Sequence, residues 1–330
     1  MLRKAFLLWD DERSATTEGR EMYKKGVVRG FGLLRIKCAL VLALHALRRP
    51  NDLWLCTHIN YAFLGMLLSF WRRRRVCLFI YAAELDVEMT FLKRFALRRV
   101  GYIVAISEYS KAKAVKMGVD ADRITVMHLG SPDPCPNRKF STESTGQNQI
   151  LFVGRMDERY KGQDELLDAV LLLRRRFPEV RLVFIGGGRN LDEWKREAGA
   201  RELLDIVEFR GRVSDDDLCR AYESATVFAM PSRNEGFGLV YVEAMAYGLP
   251  CIGGDRDAAR EVIAHGETGF CIPAGNSTAL SYALQTLFQS PDLRTRFSLA
   301  SRERFLAHFC APKYAERLVR VLVEWRMSSV

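Results

Sequence analysis

No two of the eight cysteines, Cys38, Cys56, Cys77, Cys135, Cys219, Cys251, Cys271 and Cys310, form a Cys-x-x-Cys pair. Several lie in strand-like runs, which argues against structural zinc and for buried thiols in a reducing cytosol. An uninterrupted apolar stretch long enough to cross a bilayer is also missing. Leu53–Trp71 is broken by His58, Asn60 and Tyr61, and Cys38–Leu47 is too short. The run Met1–Asp10 has an apolar core too short for a secretory signal and meets acid at once, so it reads as a first strand. Neither zinc-finger spacing nor an RNA-recognition signature is present. Val183–Asn190 ends a strand in glycines without the complete Gly-x-Gly-x-x-Gly pattern, which speaks against a nicotinamide dehydrogenase.

What the chain does have is hydrophobic content of 48% over 330 residues, enough for two domains with a core each. Charge divides them. Residues 1–140 carry 25 Lys and Arg against 13 Asp and Glu, a net of +12, while residues 141–330 carry 25 against 27, a net of −2. The excess clusters at Lys24-Lys25, Arg48-Arg49, Arg72–Arg75 and Phe91–Arg99, where cations and large apolar side chains interleave. Such a surface fits anionic lipid headgroups. Nucleic acid is the rival reading of a positive field, and a solvated face is the plain one. The expectation is a cytoplasmic protein, peripheral on the inner face of the cell membrane, with no nucleic-acid partner.

Strand patterns fall near 5–9, 52–57, 76–82, 101–106 and 123–128, with helical stretches such as 30–48, 61–72 and 108–117 between them. Three prolines in Gly130–Asn137 and a Ser/Thr/Gly tail to Asn148 mark a linker. A second alternating set then places strands near 149–154, 181–186, 206–210, 226–230, 250–253 and 269–272, and helices near 163–177, 190–200, 214–224, 238–247 and 277–289. The pattern predicts an α/β chain of two Rossmann-like doubly wound domains facing a cleft. Residues 1–140 form an acceptor- and membrane-facing domain and 141–310 a donor domain. Helices follow at about 292–308 and 312–326, and the segment 311–330 packs back on the first domain.

The segment Glu235–Glu243 holds the chemistry. Gly236 and Gly238, between a strand ending in Pro231-Ser232 and a helical run, let the backbone approach a ligand closely. Free amides at a helix start suit a pyrophosphate. Glu235 would stay at the mouth, and Glu243, about two turns further in, could accept both hydroxyls of a ribose. Chance pairs of Glu at this spacing are common in a chain that is 27% charged, but this one sits at a strand-to-helix turn. Gly154–Gly162 leaves the first strand of the same half, bringing Arg155 and Lys161 to one loop where two cations can hold a diphosphate. Asp255-Arg256-Asp257 imitates a metal-binding Asp-x-Asp, but lies on a loop ahead of Glu261. Asp215-Asp216-Asp217 follows Ser214 and fits a helix start. No metal site and no cofactor are expected.

Gly154-Arg155 with Lys161-Gly162, Gly211-Arg212-Val213, Glu235 to Glu243, Glu261-Val262-Ile263 and Gly266–Phe270 occur in the order of a known family. From 149 to about 290 the chain resembles family 4 retaining glycosyltransferases of the GT-B fold, of the bacterial exopolysaccharide and lipopolysaccharide type. The resemblance implies that Gly154, Arg155 and Lys161 meet the donor diphosphate and Glu235 a hydroxyl of the donor sugar. It places Gly236, Phe237, Gly238 and Leu239 on phosphates and sugar through backbone, Glu243 on the ribose and Val213 near the base. His58 looks like the family's strand-end histidine facing the donor sugar, and Glu84 resembles an acceptor-side glutamate. His45, His128, His265 and His308 are left structural. The family's glycine pair after the first strand is missing, with only Gly19 on that loop. The implied activity is metal-independent hexose transfer, with retention, from a nucleotide diphosphate sugar to a hydroxyl of a lipid-linked saccharide in cell-surface polysaccharide biosynthesis. Two other readings are a non-catalytic sugar-nucleotide-binding protein on the same scaffold and a nucleic-acid-binding protein using the basic half.

Overall fold

The structure is a computed structural model that describes residues 5–7, 28–30, 54–59, 76–86, 89–134, 136 and 148–328. The loop bearing Gly19, the basic clusters at 24–25, 48–49 and 72–75, the helices expected at 30–48 and 61–72, and most of the linker lie outside the described residues.

Two parallel sheets organise the chain. The first contains β3 (Trp54–Cys56), β4 (Val76–Ile80), β5 (Tyr102–Ala105) and β6 (Ile124–Val126) in that order. β1 (Ala5–Leu7) pairs in parallel with β2 (Val28–Gly30), a strand the sequence pattern did not announce. All five residues of β4 are buried, as expected of a strand covered on both faces. Among the described residues of this half, three α-helices follow: α1 (Ala82–Asp86), α2 (Phe91–Arg99) and α3 (Glu108–Lys116). Ser107 begins α3 as an N-cap, its Oγ accepting from the Ser110 N–H.

The second sheet has the order β12-β11-β10-β7-β8-β9, formed by β7 (Gln149–Val153), β8 (Arg181–Ile185), β9 (Val207–Gly211), β10 (Val227–Met230), β11 (Cys251–Gly254) and β12 (Gly269–Ile272). Chain order runs outward from β7 to β9 on one side and from β10 to β12 on the other. The reversal between β7 and β10 opens a crevice at their carboxyl ends, where doubly wound sheets bind ligands. Around this sheet lie α4 (Gln163–Leu173), α5 (Leu191–Ala200), α6 (Asp215–Ser224), α7 (Leu239–Ala246), α8 (Ala259–Val262), α9 (Ser277–Gln289) and α10 (Pro291–Arg304). Ser214 caps α6 and Asp215–Asp217 fill its first turn, where carboxylates meet the positive end of the dipole.

The chain then crosses back. A π turn, Phe305–Phe309, ends α10 earlier than the apolar pattern predicted and redirects the chain into α11 (Ala311–Ser328). Val321 and Trp325 of α11 are buried with Cys77, Phe79 and Val104 of the first sheet and with Met127 just after β6. Arg302, nearly buried, grips Asp133 with both terminal nitrogens, at 2.8 and 2.7 Å, and the Ala246 carbonyl at 2.8 Å. Apolar packing and a bidentate ion pair thus join the two halves on the side of this crossing.

Candidate active site

Two loops meet at the switch point. After β7 the chain runs through Gly154 and Arg155 to a 3₁₀ turn, Arg159–Lys161, that ends at Gly162 with φ +90°. A Cβ at Gly162 would stand 2.6–2.9 Å from Pro231, so glycine is what permits this loop to lie against the one leaving β10. The Arg233 N–H, donating to the Tyr160 carbonyl at 2.8 Å, fastens the two together.

That fastening sets the central pair. Lys161, a nearly buried lysine, donates from Nζ to Glu235 Oε2 at 2.8 Å, with side chains 11% and 18% exposed. Only one of the three ammonium protons is needed for this bond. Glu235 is itself held from behind. Its backbone N–H donates to Asp257 Oδ2 at 2.7 Å, and that carboxylate also accepts from Ser232 Oγ at 2.6 Å and from the Ala259 N–H at 3.0 Å. Burial pushes the Asp257 carboxyl up to about 6 against the pull of these bonds. The Asp-x-Asp of the sequence is therefore a buttress: Asp257 aims Glu235, and Asp255 accepts from the Ala274 N–H at 3.1 Å. Sequence spacing carried no signal of this role, because Asp257 reaches Glu235 across 22 positions.

The other expected site residues fall into distinct places. Arg155 stands at the rim, 66% exposed, and pairs with Glu158 on its own loop at 3.3 Å. Gly154 lies beneath, its carbonyl so close to Gly186 that a Cβ there would sit 1.9 Å away. Gly238 begins α7 with φ +86°, and no side chain caps that helix. The Phe237 ring is buried, stacked on His128 at 5.6 Å between centroids and edge-on to Phe309 at 6.1 Å. Only the backbone of Phe237 is therefore available to a ligand. Leu239 and Glu243, one turn apart, share the open face of α7, while Tyr241, Val242, Ala244 and Met245 are buried. Glu243 Oε2 accepts from the Tyr222 hydroxyl at 2.9 Å, and burial raises its carboxyl above the ordinary value. Oε1 has no hydrogen-bond partner among the described residues. Val213 follows β9, two strands from the crevice, and packs against the core.

In the first half, His58 follows β3 and Glu84 lies on α1 after the neighbouring β4, and His58 Nε2 is 3.0 Å from Glu84 Oε1. The Ile59 N–H donates to the other carboxylate oxygen at 3.3 Å. Burial pushes Glu84 up to about 7 against that bond, while burial and Lys93 hold His58 below its usual value. The Glu84 carboxyl is therefore protonated below about 7 and anionic above it. A raised carboxyl favours the folded state in its protonated form, so its stabilisation is complete below the unfolded value and is lost as pH rises towards 7. Glu84→Gln should gain stability relative to the parent on going from pH 5 to pH 8, by on the order of 3 kcal/mol at most. Melting curves of both proteins across that range check this; a constant gap between them would refute it.

The two halves touch across the crevice. A Cβ at Gly236 would lie 3.2 Å from the Ala82 Cβ, at the start of the helix that carries Glu84. The family model for glycosyl transferases group 1 matches residues 136–304, just over half of the chain and all of the β7–β12 sheet. The chain belongs to this family. Among relatives of this group 1 glycosyltransferase, the phosphatidyl-myo-inositol mannosyltransferase of Mycobacterium leprae is 41% identical over 155 residues. That match covers 47% of this chain and 41% of the relative, so it spans well under half of that protein's length. The GDP-mannose-dependent alpha-(1-6)-phosphatidylinositol monomannoside mannosyltransferase of Mycolicibacterium smegmatis is 28% identical over 297 residues, covering 82% of this chain and 76% of its own. Among solved structures, Anabaena HepE in complex with UDP superposes with a TM-score of 0.76 at 18% identity, over 92% of this chain and 88% of that one. The architecture is GT-B, as the two Rossmann-like sheets indicate.

Proposed function

We propose that this chain transfers a hexose from a nucleotide diphosphate sugar to a lipid-anchored hydroxyl, with retention at the anomeric carbon. The observation that carries the reading is the Lys161–Glu235 pair at the β7/β10 switch point, buttressed by Asp257 and open beside the uncapped start of α7. The remaining Lys161 protons and the Arg155 fork would neutralise the diphosphate, helped by the positive end of α7. Glu235 would accept from a hydroxyl of the donor sugar, and Glu243 Oε1 from the ribose. Val213, at the end of β9, would border the base.

In the transfer step the acceptor oxygen bonds to the anomeric carbon as the bond to the diphosphate breaks on the same face. The acceptor proton passes to the departing phosphate oxygen, leaving a glycoside and a nucleoside diphosphate. Charge grows on that diphosphate as the bond breaks, so the fixed, nearly buried Lys161 ammonium would stabilise the transition state more than the ground state. His58 and Glu84, at the carboxyl ends of β3 and β4, would face sugar and acceptor. No metal or cofactor is assigned a part.

Two observations favour a lipid acceptor. The named relatives act on phosphatidylinositol species, and α2 presents a surface suited to a bilayer. Phe91, Leu92 and Phe95 are 79%, 50% and 37% exposed among Lys93, Arg94, Arg98 and Arg99, with the Arg99 guanidinium 5.1 Å above the Phe95 ring. The protein would then work peripherally on the cytoplasmic membrane face. Among the described residues, no helix is long and apolar enough to cross a membrane.

The test is a thermal-shift panel of nucleotide sugars headed by GDP-mannose, followed by transfer assays with the cognate donor. Acceptors would be a lipid-linked saccharide and phosphatidylinositol in anionic vesicles. A cognate donor at about 100 times its dissociation constant should add roughly 2.7 kcal/mol of stability, and the product should keep the donor's anomeric configuration. A panel with no stabilising donor, or an inverted product, would overturn the reading.

A further inference from the structure

We infer that Asn234 is a positioning residue for the transfer site: with Glu261 it forms a two-point clasp through which closure of the two domains sets the geometry of Glu235. This rests on the functional reading above for its catalytic consequence, but not for its geometry.

Asn234 immediately precedes Glu235, and its amide is gripped by three side chains of the first half. Oδ1 accepts from the Tyr109 hydroxyl at 2.7 Å and from Lys113 Nζ at 2.6 Å, while Nδ2 donates to Asp86 Oδ2 at 2.7 Å. Lys113 also pairs with Asp86, closing a ring of three side chains to which Tyr109 is joined through Asn234. The amide orientation follows from its neighbours, since its oxygen faces two donors and its nitrogen a carboxylate. On the far side of Glu235, the Gly236 carbonyl accepts from Ser107 Oγ at 2.7 Å. The donor-side carboxylate is thus flanked before and after by residues held by the opposite domain. Asp86 ends α1, the helix that carries Glu84, so one hydrogen bond couples the segments bearing the donor-side and acceptor-side carboxylates.

The second point is Glu261 on α8. Its carboxylate accepts from the Glu108 N–H at 2.7 Å, the Tyr109 N–H at 2.9 Å and His128 Nε2 at 2.9 Å. An acid at the start of α3 meets the positive end of that helix. Tyr109 belongs to both points, by its backbone to Glu261 and by its hydroxyl to Asn234, so α3 is the bar on which the donor domain closes. Hydrogen-bonded polar groups at a domain boundary can exchange partners with water when it opens, which apolar packing cannot do as cheaply. A clasp built this way releases and re-forms, and each closure returns Glu235 to the same place.

The test is an isosteric charge swap. Asn234→Asp turns the Nδ2 donor into a carboxylate facing Asp86, which should open the clasp without changing side-chain volume. Expected are a kcat lower by roughly 10- to 100-fold with donor KM changed less than about threefold. The ratio of donor hydrolysis to transfer should also rise, and so should the radius of gyration by small-angle X-ray scattering with donor bound. Adding Asp86→Asn exchanges the two groups and should restore both closure and turnover. Parental kcat and radius in Asn234→Asp, or failure of the double variant to recover either, would overturn the clasp. If the parent transfers no sugar at all, the functional reading has failed, and the scattering of the two variants still decides the clasp.

Discussion

Replacing Lys161 with Met should lower kcat roughly 100- to 1000-fold at saturating donor, equivalent to about 3–4 kcal/mol of lost transition-state stabilisation. The expectation comes from where the ammonium sits. Its side chain is 11% exposed and held 2.8 Å from Glu235, so its charge is less screened than that of a surface lysine. Arg155 cannot take its place, being 66% exposed at the rim and engaged with Glu158. The substitution also leaves Glu235 half-buried without a counter-charge, which should cost about 2 kcal/mol of stability. Turnover and folding are separable, because Lys161→Met with Glu235→Gln removes both charges. That double variant should regain the melting temperature and not the activity. A Lys161→Met protein that is folded and transfers sugar within about threefold of the parental rate would remove the central pair from the mechanism.

Fold and site were unequally legible in the chain. The central strands of the β7–β12 sheet were announced by short apolar runs bounded by turn residues, because a parallel strand covered on both faces must be apolar throughout, whereas the edge strand β9, VEFRG, alternates. β7 and β8, QILFV and RLVFI, are such runs. Gly236 and Gly238 read as points of close backbone approach, and Gly238 does take a left-handed φ of +86°; Gly162, at +90° against Pro231, gave no such signal. The helix Phe91–Arg99 read as a basic patch, because its buried face is only Ala96 and Leu97 and its remaining apolar residues face outward. The π turn at Phe305–Phe309 was hidden inside a continuous helical pattern.

Tertiary roles left the least trace. Asp257 resembled half of a metal motif, yet its neighbours in space are Ser232 and the Glu235 amide. Asn234, a polar residue on a loop, has no periodic partner, since Tyr109, Lys113 and Asp86 lie 125, 121 and 148 positions away. His128 was assigned a structural part, and it is one of the Glu261 donors at the domain boundary. Local spacing can report which residues share a face. It cannot report which faces a domain closure brings together.

Glu243→Ala tests the other end of the donor. Its carboxylate is half-committed: the Tyr222 hydroxyl holds Oε2 at 2.9 Å, and Tyr222 is braced by stacking on Tyr247 at 5.2 Å, while Oε1 is left for a ligand. A hydrogen bond to a charged group contributes about 1.5–3 kcal/mol, so the donor KM should rise roughly 10- to 100-fold. Because the ribose lies away from the anomeric carbon, a bond from Glu243 to it would be equally strong in ground and transition states, and kcat should stay within a few-fold of the parent. The pattern is the reverse of that expected for Lys161, although both residues belong to one crevice. A donor lacking the ribose 2′-hydroxyl sharpens the comparison. The parent should discriminate against it, and Glu243→Ala should not, since the partner of that hydroxyl is already gone. Equal discrimination by parent and variant would mean that the ribose is held elsewhere, and the helix Leu239–Ala246 would then keep its place at the phosphates without reaching the nucleoside.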